Sequence, residues 1–159
     1  MSRRWQPREL RLVSEFLAQE YRDYPYQTHV RLGSIRPRVD GAFVGDEEVR
    51  MLGVFRRWAD ALVILPDRLV LIEAAIRPEP GDISMLELYE RLIPNTPELA
   101  EHVGKPVEKV LLYCMPDDLL LTLAREKGIQ VRYFRPAWVE EYLKELYPRE
   151  RRAPFTPLE

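Results

Sequence analysis

Two apolar runs joined by a short break constrain the fold of this chain more than any other feature. Residues 60–65 read Asp-Ala-Leu-Val-Ile-Leu, Pro66 and Asp67 follow, and residues 68–77 read Arg-Leu-Val-Leu-Ile-Glu-Ala-Ala-Ile-Arg. Val, Ile and Leu at consecutive positions are typical of strands that are covered on both faces. The two-residue break predicts a tight turn between them. The sequence therefore predicts a buried central hairpin with helices on both sides of the sheet.

The remaining patterns place helices and strands around this hairpin. Apolar residues at helical spacing predict a helix over 8–22, and Ser84 with Glu87 has the spacing of a capping box for a helix over 83–93. Thr96 before a proline predicts the N-cap of a short helix. Further helices are expected at 117–127 and 136–147, strands at 27–32, 49–55, 108–115 and 129–134, and a loop or loose hairpin at 33–48. Strand–helix–strand units in the last third imply parallel pairing, so the order indicates an α/β sandwich.

The composition narrows the class of protein. The 159 residues are 46% hydrophobic with a net charge of −2, which suits one domain, 1–147, followed by an extended Pro- and Arg-rich arm, 148–159. One cysteine and two histidines exclude a disulfide scaffold and a zinc site built from these residues. No apolar run is long enough to cross a membrane, and the first residues lack a signal region. We expect a cytoplasmic protein, or a virion-associated one in the case of a phage protein.

The basic residues are biased towards arginine. Arginine accounts for 20 of the 24 basic residues, and there are 14 prolines. Ion networks of charged side chains and prolines in loops are common in proteins of thermophiles. A GC-rich genome gives the same bias towards arginine and proline.

Asp60 and Glu73 are the candidate site residues, because Asp60 opens a central strand and Glu73 lies inside the next strand. Adjacent strands can bring two carboxylates side by side. Paired carboxylates suit a hard cation such as Mg²⁺ or Mn²⁺, with phosphate oxygens and water completing its ligands, and such a metal can promote phosphodiester hydrolysis. The alternative is structural, with Asp60 capped by nearby backbone and Glu73 paired with Arg57 or Arg77.

In this order of elements the chain resembles the PD-(D/E)XK nuclease superfamily, the fold of restriction endonucleases and Holliday-junction resolvases. Asp60 matches the acid of the second core strand, Glu73 matches the glutamate of the third, and Glu20 (less well Glu15) matches the acid of the first helix. The resemblance covers residues 8–147. It implies a restriction endonuclease-like three-layer sandwich with a mixed central sheet flanked by helices. It also implies Mg²⁺ or Mn²⁺ at Asp60 and Glu73, and a DNA endonuclease that is commonly a dimer.

The chain departs from the family pattern at one position. Where the family carries lysine, Glu73-Ala74-Ala75 has alanine, and Arg77 follows two residues later. Strand alternation would place Arg77 on the same face as Glu73. A guanidinium can stabilise developing negative charge but cannot act as a base, because it does not deprotonate in proteins.

The candidate DNA contacts are arginines before and beside Asp60, namely Arg31, Arg36, Arg38, Arg56 and Arg57. Trp58 adds a stacking surface next to Arg57. The expected partner is DNA, either branched or single-stranded, bound by a homodimer or by a larger assembly held through the C-terminal arm. The missing lysine and the near-neutral charge support an alternative, a catalytically degenerate subunit of a phage or mobile-element complex. The sequence leaves both hypotheses open.

Overall fold

A mixed β-sheet between helices forms the framework of the protein. The computed structural model describes residues 7–33 and 57–146 and the backbone of 38–39 and 42–43; for Arg57 it describes the backbone alone. The elements are α1 (Pro7–Glu20), β1 (Tyr26–Leu32), β2 (Arg38–Val39), β3 (Ala42–Phe43), β4 (Arg57–Ile64), β5 (Leu69–Ala75), α2 (Pro80–Leu92), β6 (Val107–Tyr113), α3 (Asp118–Glu126), β7 (Gln130–Tyr133) and α4 (Ala137–Leu146). Two 3₁₀ segments, Ile93–Asn95 and Pro97–His102, follow α2.

The described strands of the main sheet lie in the order β1-β4-β5-β6-β7. β1 and β5 both run antiparallel to β4, whereas β5, β6 and β7 run parallel to one another. The predicted hairpin and the parallel pairing of the last third are therefore confirmed. β2 and β3 form a separate two-residue ladder within the segment predicted as a loop or loose hairpin. The strand predicted at 49–55 and the arm at 148–159 lie outside the described residues.

Helices cover both faces of the sheet, so the predicted three-layer α/β sandwich is confirmed. On one face, which we call the α2 face, α2 and α3 pack on alternate sheet residues that include Leu62, Leu69 and Leu71. On the other, the α1 face, α1 and α4 pack on Val63, Val70 and Ile72. Every residue of β5 is buried because successive side chains enter opposite cores.

Two predicted helix starts differ from the structure. α2 begins at Pro80, and its capping box is formed by Glu79 and Asp82, not by Ser84 and Glu87. Pro80 suits the first helical position because its fixed φ is helical and its missing N–H would have had no helical partner. Thr96 makes no side-chain cap; its hydroxyl donates to the Leu92 carbonyl and accepts from the Gly33 N–H, each at 2.8 Å.

The predicted α3 is confirmed in detail. The Asp117 side chain accepts a hydrogen bond from the Leu120 N–H, and Gly128 follows the helix with φ of 73°. Within the described ranges 7–33 and 57–146, no helix combines the length and the apolar character that a bilayer crossing requires.

Candidate functional site

Asp60 and Glu73 lie on the neighbouring strands β4 and β5, each one residue beyond the paired part of the ladder. The ladder between β4 and β5 runs from Ile64↔Leu69 to Ala61↔Ile72, and the next residues in this register are Asp60 and Glu73. The sheet thus places the two candidate acids on neighbouring strands, and Asp60 lies inside β4 and not at its head.

An irregularity in β4 sets the direction of the Asp60 side chain. Ala59 belongs to the core of the α2 face, whereas Ala61 belongs to the core of the α1 face. In a regular strand these two residues would share one face, so β4 turns over at Asp60. The Asp60 carboxylate is directed towards β5, where Oδ2 accepts the Ala74 N–H at 2.8 Å. The Asp60 side chain therefore accepts a hydrogen bond from the backbone N–H of the residue that follows Glu73.

The two acids differ in burial. Glu73 is only 2% exposed, whereas Asp60 is half-buried. An ionised carboxylate is costly to remove from water and is kept in protein interiors where charge or hydrogen bonds compensate it. Solvent therefore contacts Asp60, whereas Glu73 is almost fully enclosed by the protein.

The donor set at this point is chemically suited to a hard divalent cation. Carboxylate oxygens are the ligands that Mg²⁺ and Mn²⁺ favour, and Mg²⁺ is commonly held by one or two carboxylates with substrate phosphates and water. In the part of the chain that the structure describes, no three His, Cys, Asp or Glu side chains are grouped to hold a metal ion. Asp60 and Glu73 would be the protein's carboxylate ligands.

Glu20 lies away from this pair. Its Oε1 is 3.3 Å from Nη2 of Arg132 on β7, which is two strands from β5. The neighbouring Tyr21 has its pKa raised, first by burial and then by the negative charge of Glu108, a residue near the amino end of β6. α1 therefore ends near the amino ends of the parallel strands, whereas Glu73 lies towards the carboxyl end of β5. The structure does not bring Glu20 to Asp60.

Glu15, the weaker match for the helix acid, is also engaged elsewhere. Its Oε2 accepts the indole N–H of Trp138 at 2.7 Å, and its Oε1 is 3.2 Å from the Arg11 guanidinium. The first contact joins α1 to α4, and the second is an ion pair within α1. Glu9, in the first turn of α1, is a buried acid that the sequence analysis did not select, since it is only 8% exposed. The one hint in the sequence is an acid directly after Pro7-Arg8, at the start of the helix.

Arg77 does not follow the strand alternation on which its prediction rested. β5 ends at Ala75, and Arg77 is exposed in the bend that follows. Ala75, at the position of the family lysine, is fully buried. Because Arg77 lies beyond the end of β5, the pleat of the strand does not fix the direction of its side chain. The side chain is therefore not bound to the face of the sheet on which Glu73 lies.

Of the predicted DNA contacts, Arg31 is the one whose side chain is described. It is exposed on β1, and its guanidinium carbon lies 5.7 Å from the centre of the Trp58 ring. Arg36 and Arg56 lie outside the described residues, and Arg38 and Arg57 are described by their backbone alone.

His29 lies next to the candidate site, although its sequence context, a strand with no companion cysteine, argues against a nucleophilic dyad. It lies on β1 between the pairs Thr28↔Ala61 and Val30↔Ala59, and hence opposite Asp60. Its ring stacks on Trp58 with centroids 4.2 Å apart and planes at 8°. A single apolar-polar pattern cannot reveal this stack, because it depends on which strands become neighbours.

Comparisons with known proteins give distant structural similarities. A repair endonuclease from Pyrococcus abyssi is 14% identical, with a TM-score of 0.43 over 86% of this chain and 50% of that one. A protein of unknown function is 11% identical, with a TM-score of 0.45 over 77% and 56% of the two chains. A Vibrio cholerae protein is 14% identical, with a TM-score of 0.45 over 87% and 31%. This chain thus spans between about a third and just over half of their lengths. No protein-family model and no curated protein matches the sequence.

Proposed function

We propose that this protein is a metal-dependent nuclease that hydrolyses phosphodiester bonds in DNA at the Asp60–Glu73 pair. The observation that carries the proposal is the Asp60 carboxylate, held by the Ala74 N–H directly beside Glu73. Glu73 is 2% exposed, and a glutamate is rarely buried to this extent unless it is paired or binds a metal.

Mg²⁺ or Mn²⁺ held by Asp60 and Glu73 would stabilise negative charge on the phosphate and favour ionisation of the attacking water. The chain's own contribution is to orient the ligands. The Ala74 N–H fixes Oδ2 of Asp60 at 2.8 Å, so little reorganisation of this carboxylate is required. Burial of Glu73 keeps bulk water from screening its charge.

Arg77 is proposed to supply positive charge near the phosphate, in place of the missing lysine. It remains charged at any working pH, so it can neutralise the pentacovalent transition state but transfers no proton. Loss of one donor to a transition state costs on the order of 10²–10³ in rate. A slow enzyme is therefore expected.

DNA is proposed to bind over the β1–β4 side of the sheet. Arg31 is exposed there, and Arg36, Arg38, Arg56 and Arg57 belong to the same part of the sequence. Arginine suits phosphate contacts because its planar fork can donate two parallel hydrogen bonds.

The proposal is tested by incubating the protein with branched, single-stranded and duplex DNA in Mn²⁺. We expect cleavage by the parent, and a loss of at least about 100-fold in Asp60→Asn and Glu73→Gln. Asp67→Asn is the matched control, because Asp67 is an exposed acid in the turn of the same hairpin and pairs with Arg68. Absence of cleavage on every substrate would contradict the proposal and favour the degenerate assembly subunit. Full activity of Asp60→Asn would also contradict it.

A further inference from the structure

The strands β4 and β5 separate next to the candidate site. Their ladder ends at the pair Ala61↔Ile72, although β4 begins at Arg57 and β5 continues to Ala75. A regular ladder would extend through the residues beyond that pair, so the polar backbone groups there need other partners. Two side chains act as such partners at this point of the sheet.

The two side chains hold the same short segment of β4 from different directions. Oδ2 of Asp60 accepts the Ala74 N–H at 2.8 Å, which joins β4 to β5. The hydroxyl of Tyr89 donates to the Trp58 carbonyl at 2.7 Å, which joins β4 to α2. The Tyr89 hydrogen bond therefore fixes the backbone two residues before Asp60.

Tyr89 acts from the face of the sheet on which Glu73 lies. Tyr89 is 4% exposed and belongs to the core of the α2 face. Glu73 is directed to this face as well, because it alternates along β5 with Leu69 and Leu71, which belong to the same core. The hydroxyl of a buried tyrosine usually finds a hydrogen-bond partner. In this protein the partner belongs to the strand that carries the other candidate ligand, Asp60.

The irregularity of β4 at Asp60 is shared by β1. His29, across from Asp60 in the register of these two strands, has φ of 52°, in the left-handed region that non-glycine residues seldom adopt. Such a conformation persists where the surrounding contacts enforce it. The direction of the Asp60 carboxylate therefore depends on contacts around the irregularity, and the Tyr89 hydrogen bond is one of them.

From these contacts we infer that Tyr89 is a positioning residue, whose hydroxyl holds β4 so that the Asp60 carboxylate stays on the Ala74 N–H. The consequence for metal binding rests on the proposed nuclease function, whereas the positioning is a property of the metal-free protein. Without the hydroxyl, this segment of β4 loses its attachment to α2 and moves more freely relative to β5. The Asp60 carboxylate must then be ordered when a metal ion binds, and this ordering lowers the affinity.

Hydrogen exchange of the Ala74 amide in the metal-free protein, followed by NMR, tests the positioning. The internal reference is the Ile72 amide, which lies within the paired part of the ladder and leaves β5 on the same side as the Ala74 amide, because N–H directions alternate along a strand. In Tyr89→Phe the exchange rate of Ala74 relative to Ile72 should rise at least about fivefold, because the Trp58 carbonyl loses a buried donor. The ratio of the two rates removes any general loss of stability.

Two further variants calibrate this measurement. Asp60→Ala removes the acceptor itself, so it should raise the ratio at least as much as Tyr89→Phe does. Tyr113→Phe is the matched control, because Tyr113 is a tyrosine of β6 that is 8% exposed and whose ring packs against Tyr133. It loses the same hydroxyl group, and its ratio should equal that of the parent.

Mn²⁺ binding by the same proteins separates the positioning from the proposed function. Tyr89→Phe should bind Mn²⁺ at least about threefold more weakly than the parent, since its carboxylate is less preorganised, and Tyr113→Phe should bind as the parent does. An unchanged ratio of exchange rates in Tyr89→Phe, or an equal rise in Tyr113→Phe, would overturn the inference. So would Mn²⁺ binding that is equally tight in Tyr89→Phe and in the parent. If the ratio rises as expected but the parent binds no Mn²⁺, the positioning stands and the proposed metal site fails.

Discussion

At the scale of single residues, Cys114 shows how burial determines chemistry. Its thiol is fully buried and donates to the Phe134 carbonyl at 3.1 Å, and burial raises its pKa to about 12. The thiolate is the reactive form of cysteine, so the folded protein holds this group inactive at pH values where a free thiol ionises. Cys114 lies in the apolar run 110–115, a pattern that favours core packing.

The prediction for Cys114 concerns its reactivity between about pH 8 and pH 10. We expect the folded protein to react with a thiol reagent at least about 100-fold more slowly than the same protein in denaturant, because the protonated, buried sulfur is a poor nucleophile. The assay is unambiguous, since the chain has one cysteine. Rapid labelling without denaturant would show that the β6 end of the sheet opens readily.

At the scale of elements, Thr96 fastens β1 to the segment after α2. It is 2% exposed and bridges the Gly33 N–H and the Leu92 carbonyl. Thr96→Val keeps the shape but leaves both backbone groups without this partner, so we expect a loss of about 1–3 kcal/mol in the free energy of unfolding. Thr122→Val is the control, because its hydroxyl donates to Asp118 at an exposed helix position. Equal effects in denaturant unfolding would contradict the role of Thr96.

The position of α1 gives a second prediction at this scale. The family resemblance implies a metal-site role for Glu20, but the structure pairs Glu20 with Arg132 on β7. We therefore expect Glu20→Gln to leave DNA cleavage within about twofold of the parent and to cost less than about 1 kcal/mol of stability, as is usual for exposed ion pairs. A loss of cleavage as large as that of Asp60→Asn would show that α1 reaches the site during the reaction.

At the scale of the whole molecule, the sequence predicted the layers better than the site. The apolar runs of β4 and β5, and the helical spacing in α1, are local patterns, and the structure confirms the elements they predicted. The Asp60–Ala74 hydrogen bond, the left-handed backbone at His29 and the contact of Glu20 with Arg132 depend on which strands become neighbours. Thr96 and Gly33 are 63 residues apart in the chain, and no local pattern reports such a contact.

The hairpin pattern points to Asp60 and Glu73, which lie on the neighbouring strands β4 and β5. The resemblance to a nuclease family adds the acid of the first helix. It misplaced the first-helix acid, because helix periodicity does not determine which end of the sheet a helix end reaches. It also placed Arg77 by strand alternation, although β5 ends at Ala75.

Direct measurement of Mn²⁺ binding by electron paramagnetic resonance tests whether Asp60 and Glu73 form a metal site. We expect the parent to bind Mn²⁺. Asp60→Asn and Glu73→Gln should each weaken this binding at least about tenfold through loss of a carboxylate ligand, and Asp67→Asn should bind as the parent does. Mn²⁺ binding that is equal in all four proteins, or undetectable in the parent, would contradict it.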